Sequence, residues 1–307
     1  MNSIPMVWPL LFALFVPLCL PTCAWAQRRP RGANIFTMKA DGSDVQLFVQ
    51  VPDMVWHGSP IWSHDGRRIA FDASPDQNGG ASARIYVASV KDPAGTVADL
   101  GPGNSPSWSP EDDKLVFYLR PGNPDELQPG VWTMAANGAD RKRLCEGQKP
   151  RWSPDGTRIA FISDHNGVAS LDVITPRWRK RVLQVDYEAI AGCGWSPDGE
   201  KLAFVGTRKN LEPRELGIVG TKGDENAVVM RYQADFGWLP SWSPDGKQLV
   251  VSMRGEETFQ KLTLLRVAGK QSPSFIDGQA GTFFNLDATW SPDGQRLAFN
   301  SNRAIPE

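Results

Sequence analysis

Six copies of one phrase constrain this chain more than any other feature. They begin at Trp62, Trp108, Trp152, Trp195, Trp242 and Trp290 and read WSHDGRRIAF, WSPEDDKLVF, WSPDGTRIAF, WSPDGEKLAF, WSPDGKQLVV and WSPDGQRLAF. Subtracting successive tryptophan numbers gives 46, 44, 43, 47 and 48, close to the period of four-stranded propeller blades. Ser-Pro-Asp-Gly presets a type I turn, because Pro fixes φ at the second position and Gly is free to take the positive φ that follows. The Trp before the turn ends one strand; the Ile/Leu-Ala/Val-Phe after it makes a second, of β-prone residues suited to burial. Two copies depart from the pattern. His64 stands at the Pro position and Asp112 at the Gly position, and Asp tolerates left-handed backbone at a cost of roughly 1 kcal/mol, so both turns are expected to form.

Weaker apolar runs between the phrases, such as Ile85–Val87 and Val97–Leu100, supply third and outer strands. The last phrase provides only two strands before Glu307, while Ile35–Met38 and Gln46–Val49 provide two more near the other end. The expected fold is all-β: a six-bladed β-propeller of four-stranded blades over residues 33–307, closed by pairing N-terminal and C-terminal strands in the last blade. Trp62, Trp108, Trp152, Trp195, Trp242 and Trp290, repeated at one place in every blade, are read as packing residues of the repeat.

Residues 1–26 carry no charge, contain an apolar stretch and end in Ala24-Trp25-Ala26, the pattern of a signal peptide with a small-x-small cleavage site. A short segment, 27–32, follows it. The chain is therefore expected to be exported, periplasmic or extracellular, with no membrane span after cleavage; an uncleaved anchor is the alternative, opposed by Pro5, Pro9, Pro17 and Pro21. Thirty-three Lys and Arg balance 34 Asp and Glu with no block of like charge, which excludes a nucleic-acid footprint. Beyond residue 26 only Cys145 and Cys193 remain, too few for a disulfide framework.

The phrase WSPDG followed by Ile/Leu-Ala-Phe, six times over, resembles the WD-repeat-like propeller repeat of the TolB type. The resemblance covers about residues 33 to 303 and implies a periplasmic propeller that binds other envelope proteins on its face or mouth. It extends to the propeller repeats only, without the α/β domain that precedes them in full TolB proteins. Similar repeats form the substrate-gating propeller of prolyl oligopeptidase-like enzymes, whose chemistry belongs to a separate hydrolase domain.

The usual hydrolytic and metal-binding patterns are missing. No G-x-S-x-G occurs, and His57, His64 and His165 sit at dissimilar places in the repeat, unlike a three-histidine metal site. Asp72, Ser74, Asp76 and Asn78 alternate as calcium ligands do, but Gln77 and Ala83 occupy the places where Gly and a carboxylate are needed, so a solvated hairpin loop is expected. The expectation is a chain that is not an enzyme and holds no metal or cofactor. Binding is assigned instead to the variable connections that enter each inner strand, MVWHGSP, GPGNSP, EGQKPR, YEAIAGCG, ADFGWLP and GTFFNLDA, which converge on the channel mouth opposite the Ser-Pro-Asp-Gly turns. The partner-binding candidates are Trp56, His57, Arg151, Tyr187, Phe236, Trp238, Phe283 and Phe284, with the last two equally well read as plugs over blade packing. The expected partner is an envelope protein or peptide. A glycan is the second reading, and a lyase or hydrolase using channel carboxylates the third.

Overall fold

The computed structural model describes residues 32–305 apart from 77–79, 178, 182–186, 209–210, 222–227, 235, 255–258, 269–271 and 280. The signal peptide read over 1–26 and nearly all of the 27–32 segment lie outside the described residues. Two strands precede the first phrase, β1 (Asn34–Lys39) and β2 (Gln46–Val49). Strands then follow in fours: β3 (Trp56–Trp62), β4 (Arg68–Ser74), β5 (Arg84–Ser89) and β6 (Ala98–Pro102), then β7 (Asn104–Trp108), β8 (Lys114–Leu119), β9 (Gly130–Ala135) and β10 (Lys142–Cys145). The third and fourth sets are β11 (Gln148–Trp152), β12 (Ile159–His165), β13 (Val168–Ile174) and β14 (Arg179–Arg181), and β15 (Tyr187–Trp195), β16 (Lys201–Arg208), β17 (Leu211–Gly220) and β18 (Val228–Gln233). Last come β19 (Ser241–Trp242), β20 (Gln248–Arg254), β21 (Gln260–Arg266) and β22 (Ser274–Phe275), followed by β23 (Asn285–Trp290) and β24 (Arg296–Ser301).

These strands make an all-β propeller with four-stranded blades. β3 to β6, β7 to β10 and β19 to β22 are each one sheet, and a fourth sheet has the order β2-β1-β24-β23. In that sheet β1 pairs antiparallel with β24, Asn34 opposite Ser301 through Lys39 opposite Arg296. The strands form five sheets rather than the expected six. A bridge from Ala169 to Tyr187 joins the third and fourth sets of strands into one eight-stranded sheet: Tyr187 begins an inner strand of 9 residues, long enough to reach the neighbouring unit. Inner strands pack in chain order, β3 on β7, β7 on β11, β11 on β15, β15 on β19 and β19 on β23, and β23 packs on β3.

The repeat explains the core. Phe71, Phe117, Phe161, Phe204 and Phe299, the last residue of five phrases, are completely buried. Each repeat Trp packs on the preceding unit: Trp108 lies with Ala70, Ile85 and Val87, and its Nε1 donates to Ile61 O at 3.3 Å. Trp195 and Trp242 donate in the same way to Arg151 O and Gly194 O, at 3.0 and 3.1 Å.

Within each turn the serine hydroxyl donates to a nearby aspartate, Ser63 to Asp65 and Ser243 to Asp245, both at 2.6 Å. Those serine bonds hold the Asp65 and Asp245 carboxyls below their ordinary range. The turns also touch each other. Gly156 lies against Pro110, Gly199 against Pro154, Gly246 against Pro197, Gly294 against Pro244 and Gly66 against Pro292. The join without a proline or a glycine is the one where His64 meets Asp112: the His64 and Asp65 N–H groups donate to the two Asp112 carboxylate oxygens at 2.8 and 2.9 Å. The two departures from the repeat thus meet at one contact.

Candidate functional site

Inner strands bulge where they enter the channel. Pairing registers shift between Gly58 and Ile61, Asn104 and Ser107, Gln148 and Arg151, and Leu286 and Thr289. At each bulge the residue three before the repeat Trp has left-handed backbone: Ser59 (φ 49°), Ser105 (φ 53°), Lys149 (φ 51°) and Asp287 (φ 51°). Non-glycine residues pay roughly 1–2 kcal/mol for this conformation, and bulges re-aim side chains beside functional sites. Four strained residues at one level of one channel mark it as the candidate site.

They surround a cavity of about 260 Å³. Its polar lining includes Asp72, Asn104, Tyr118, Arg120, Lys149, Arg151 and Asp287, and its apolar lining includes Trp56, Trp238 and Leu239. Arg151 is buried and fixed by Ser105: its guanidinium donates to Ser105 O and Oγ, both at 3.2 Å. Arg151 and Leu239 also line a second cavity of about 350 Å³, ringed by all six repeat tryptophans, so they form the waist between a polar mouth and an aromatic chamber. Lys149 Nζ donates to Ala191 O at 2.5 Å and stands 5.3 Å from the Trp238 ring centre, while the Arg214 guanidinium stands 4.7 Å from it.

The candidates chosen from sequence divide between wall and cavity. Trp56, Trp238 and Arg151 line the cavity. Phe284 is buried and stacks on Trp56, ring centres 5.8 Å apart; Phe283 is half-buried under the Arg303 guanidinium, 4.5 Å from its ring centre. His57, Tyr187 and Phe236 are buried and do not line the cavity. His57 Nε2 accepts the Val51 N–H at 2.9 Å and Nδ1 lies 2.8 Å from Ala33 O, the pattern of a neutral ring protonated at Nδ1, and burial lowers its pKa. Tyr187 donates to Glu215 Oε1 at 2.5 Å, and Phe236 bridges to Met253.

Sequence reading missed Asn104, Tyr118, Arg120 and Asp287, and it placed Asp72 in a solvated loop. The last point is corrected: Asp72 is buried on β4 and accepts the Ser105 N–H at 2.8 Å. The available signal was positional, since Ser59, Ser105, Lys149 and Asp287 all stand three residues before a repeat Trp. Asp72 and Asp287, far apart in sequence, share the cavity. Burial and then the Asp72 charge push Asp287 up to about 6, against the pull of Lys149 and Arg151. Burial raises Asp72 as well and lowers Lys149 to about 8, opposed by Asp287. Both thiols are free, and burial pushes Cys193 up to about 11. Among the described residues no group of three His, Cys, Asp or Glu stands where it could hold a metal ion.

The raised Asp287 carboxyl makes a prediction with a definite sign. The folded chain keeps a proton there that the unfolded chain releases between about pH 4 and 6, so its contribution to stability is whole below pH 4 and is lost as pH rises through 6. Asp287→Asn should therefore match the parent at pH 4 and exceed it by about 1 kcal/mol at pH 8, allowing for water at the half-buried carboxyl. Denaturant melts at both pH values check this, and an equal difference at the two would show that Asp287 titrates normally.

No family model matches the chain. A curated relative, the uncharacterized peptidase YuxL of Bacillus subtilis, is 27% identical over 224 residues, which is 70% of this chain and 31% of the relative. The chain thus spans about a third of that relative's length. Among solved structures, a TolB candidate from Agrobacterium tumefaciens superposes with a TM-score of 0.67 at 17% identity, covering 90% of this chain and 99% of that one. TolB from Acinetobacter baumannii gives 0.60 at 19% identity, covering 89% and 65%. An oligogalacturonate lyase in complex with manganese gives 0.52 at 15% identity, covering 90% and 72%. The expectation that the chain is not an enzyme is corrected here, because its curated relative bears a peptidase name and a lyase shares its fold. That expectation rested on missing nucleophile and metal motifs, which do not register groups gathered singly from different blades. The fold of this chain is that of a TolB-like β-propeller.

Proposed function

We propose that this chain is an exported propeller of six blades, spanning 33–307 and closed by its terminal strands, that binds a segment of an envelope protein or peptide at the channel mouth. The six-blade reading is supported by six turn-to-turn joins, the last running from Pro292 back to Gly66. The observation that carries the binding role is the mixed-charge cavity rimmed by Trp56 and Trp238, a concave site with few convergent polar groups and an aromatic anchor. TolB structures share the fold. Cross-linked capture from envelope extract tests the role. A specific protein caught by the parent should fall at least tenfold with Trp238→Ala, whose folding is confirmed by an unchanged melt; equal capture would remove the mouth as the docking surface.

A second reading, catalysis on a bound segment, is favoured by two groups in the same cavity. Asp287 at about 6 and Lys149 at about 8 bracket neutral pH, where general acids and bases work best. The name of the Bacillus relative points the same way. Incubation with peptide and oligouronide libraries, comparing the parent with Asp287→Asn, tests it: turnover lost in the variant supports chemistry at this site, and turnover unchanged assigns it elsewhere.

A further inference from the structure

We propose that the mouth cavity holds the C-terminal carboxylate of the bound peptide, an inference that rests on the docking role just described. Asn104 is 3% exposed and its Nδ2 has no hydrogen-bond partner, nor does Arg120 Nε; both residues line the cavity. Buried donors without partners are costly, and two of them on residues that line one cavity favour an acceptor bound there. Arg120, Lys149 and Arg151 bring three positive charges to the cavity against two carboxyls, Asp72 and Asp287, so the acceptor it favours is an anion. Arginine and amide N–H groups match a carboxylate in geometry.

One acceptor is orphaned too. Asp287 Oδ1 is buried without a partner, and a terminal residue carries a backbone N–H beside its carboxylate that satisfies it. The cavity, about 260 Å³, has room for a chain end rather than a folded element. An acidic sugar carries a carboxylate and hydroxyls as well, but one face of Trp56 is stacked on Phe284 and Trp238 stands beside the Lys149 and Arg214 cations, which leaves less aromatic face for a sugar ring. Peptide is the better match.

The test uses the whole chain and a random hexapeptide library displayed in two forms, with free C-termini and with amidated C-termini. Peptides selected from the free form are then titrated individually by intrinsic tryptophan fluorescence. Amidation should weaken binding roughly ten- to hundredfold, as loss of charge-assisted bonds does. Arg120→Gln should weaken the free-acid peptide to a similar degree and leave the amidated one unchanged, while Arg120→Lys restores part of the loss. Arg120→Gln removes an unsatisfied donor but also the guanidinium beside Tyr118, so a melt confirms that the variant is folded before its binding is compared, and Arg120→Lys serves as the second variant. Equal binding of both forms, or binding that follows internal Asp and Glu side chains, overturns the terminal-carboxylate assignment and leaves mouth docking intact. Binding of neither form overturns it as well, and the capture experiment with Trp238→Ala then judges docking by itself. Selective binding of an oligouronide in place of peptides overturns it in favour of an acidic glycan.

Discussion

A chain begun at residue 50, lacking β1 and β2, is expected to have no cooperative melt and no stable monomer. The lost segment buries Ile35, Phe36, Met38, Phe48 and Val49, each stabilising by about 1.5–3 kcal/mol, on the order of 10 kcal/mol in all, against a total stability of about 5–15. The loss reaches two units at once. β24 loses its partner along six residues, exposing an edge that carries Phe299 and is prone to pair with other chains. In the first unit, Ala33 bonds Val55 and His57 through the backbone and the His57 ring through its carbonyl, so its removal strips a buried imidazole of a partner. Thermal circular dichroism and size-exclusion chromatography should show early, broad unfolding with aggregation. A peptide of residues 33–49 added in trans should restore the monomer by strand addition. A truncated chain that stays monomeric and melts within a few degrees of the parent would show that the terminal strands are accessory.

The fold was legible because it is written six times. One turn with a defined backbone requirement, one Trp and one buried strand recur at a fixed period, so each copy checks the others, and the strands at both ends fall where an incomplete unit needs them. The sheet count escaped because it hangs on one bridge from Ala169 to Tyr187, outside the repeated phrase. The site was legible only as a region. Trp56, Arg151 and Trp238 stood out by residue type, but so did His57, Tyr187 and Phe236, and nothing in a sequence tells a large side chain turned into a wall from one turned into a channel. Asp72, Asn104, Arg120 and Asp287 were hidden for a different reason. They come from three units, Asn104 and Arg120 from the same one, so no local spacing joins them; each matters only because the fold brings it to one level. Residues that serve the repeat are periodic, and residues that serve the cavity are those whose identity changes at a periodic position.

The same logic makes the join between the first two turns a place where two irregular residues must be understood together. Elsewhere a glycine with positive φ lies against a proline that has no N–H. Here His64 supplies an N–H that proline lacks, and Asp112, at φ 56°, supplies the carboxylate that accepts it together with the Asp65 N–H. Asp112 is buried, and its carbonyl also accepts from Arg68 Nη2 at 3.0 Å. Asp112→Ala should cost about 2–4 kcal/mol, because it leaves two backbone donors unpaired and keeps a side chain in left-handed backbone. Asp112→Gly relieves the backbone and should cost about 1–2 kcal/mol. His64→Pro alone places a ring without an N–H against the Asp112 carboxylate and should also destabilise. The double variant, His64→Pro with Asp112→Gly, rebuilds the contact found at the other five joins and should recover most of the parent stability. Denaturant melts of the four proteins give the coupling energy as a double-mutant cycle. A favourable coupling of about 1–3 kcal/mol is expected from the bonds involved; strictly additive losses would mean that the two departures are independent and that each turn stands without its neighbour.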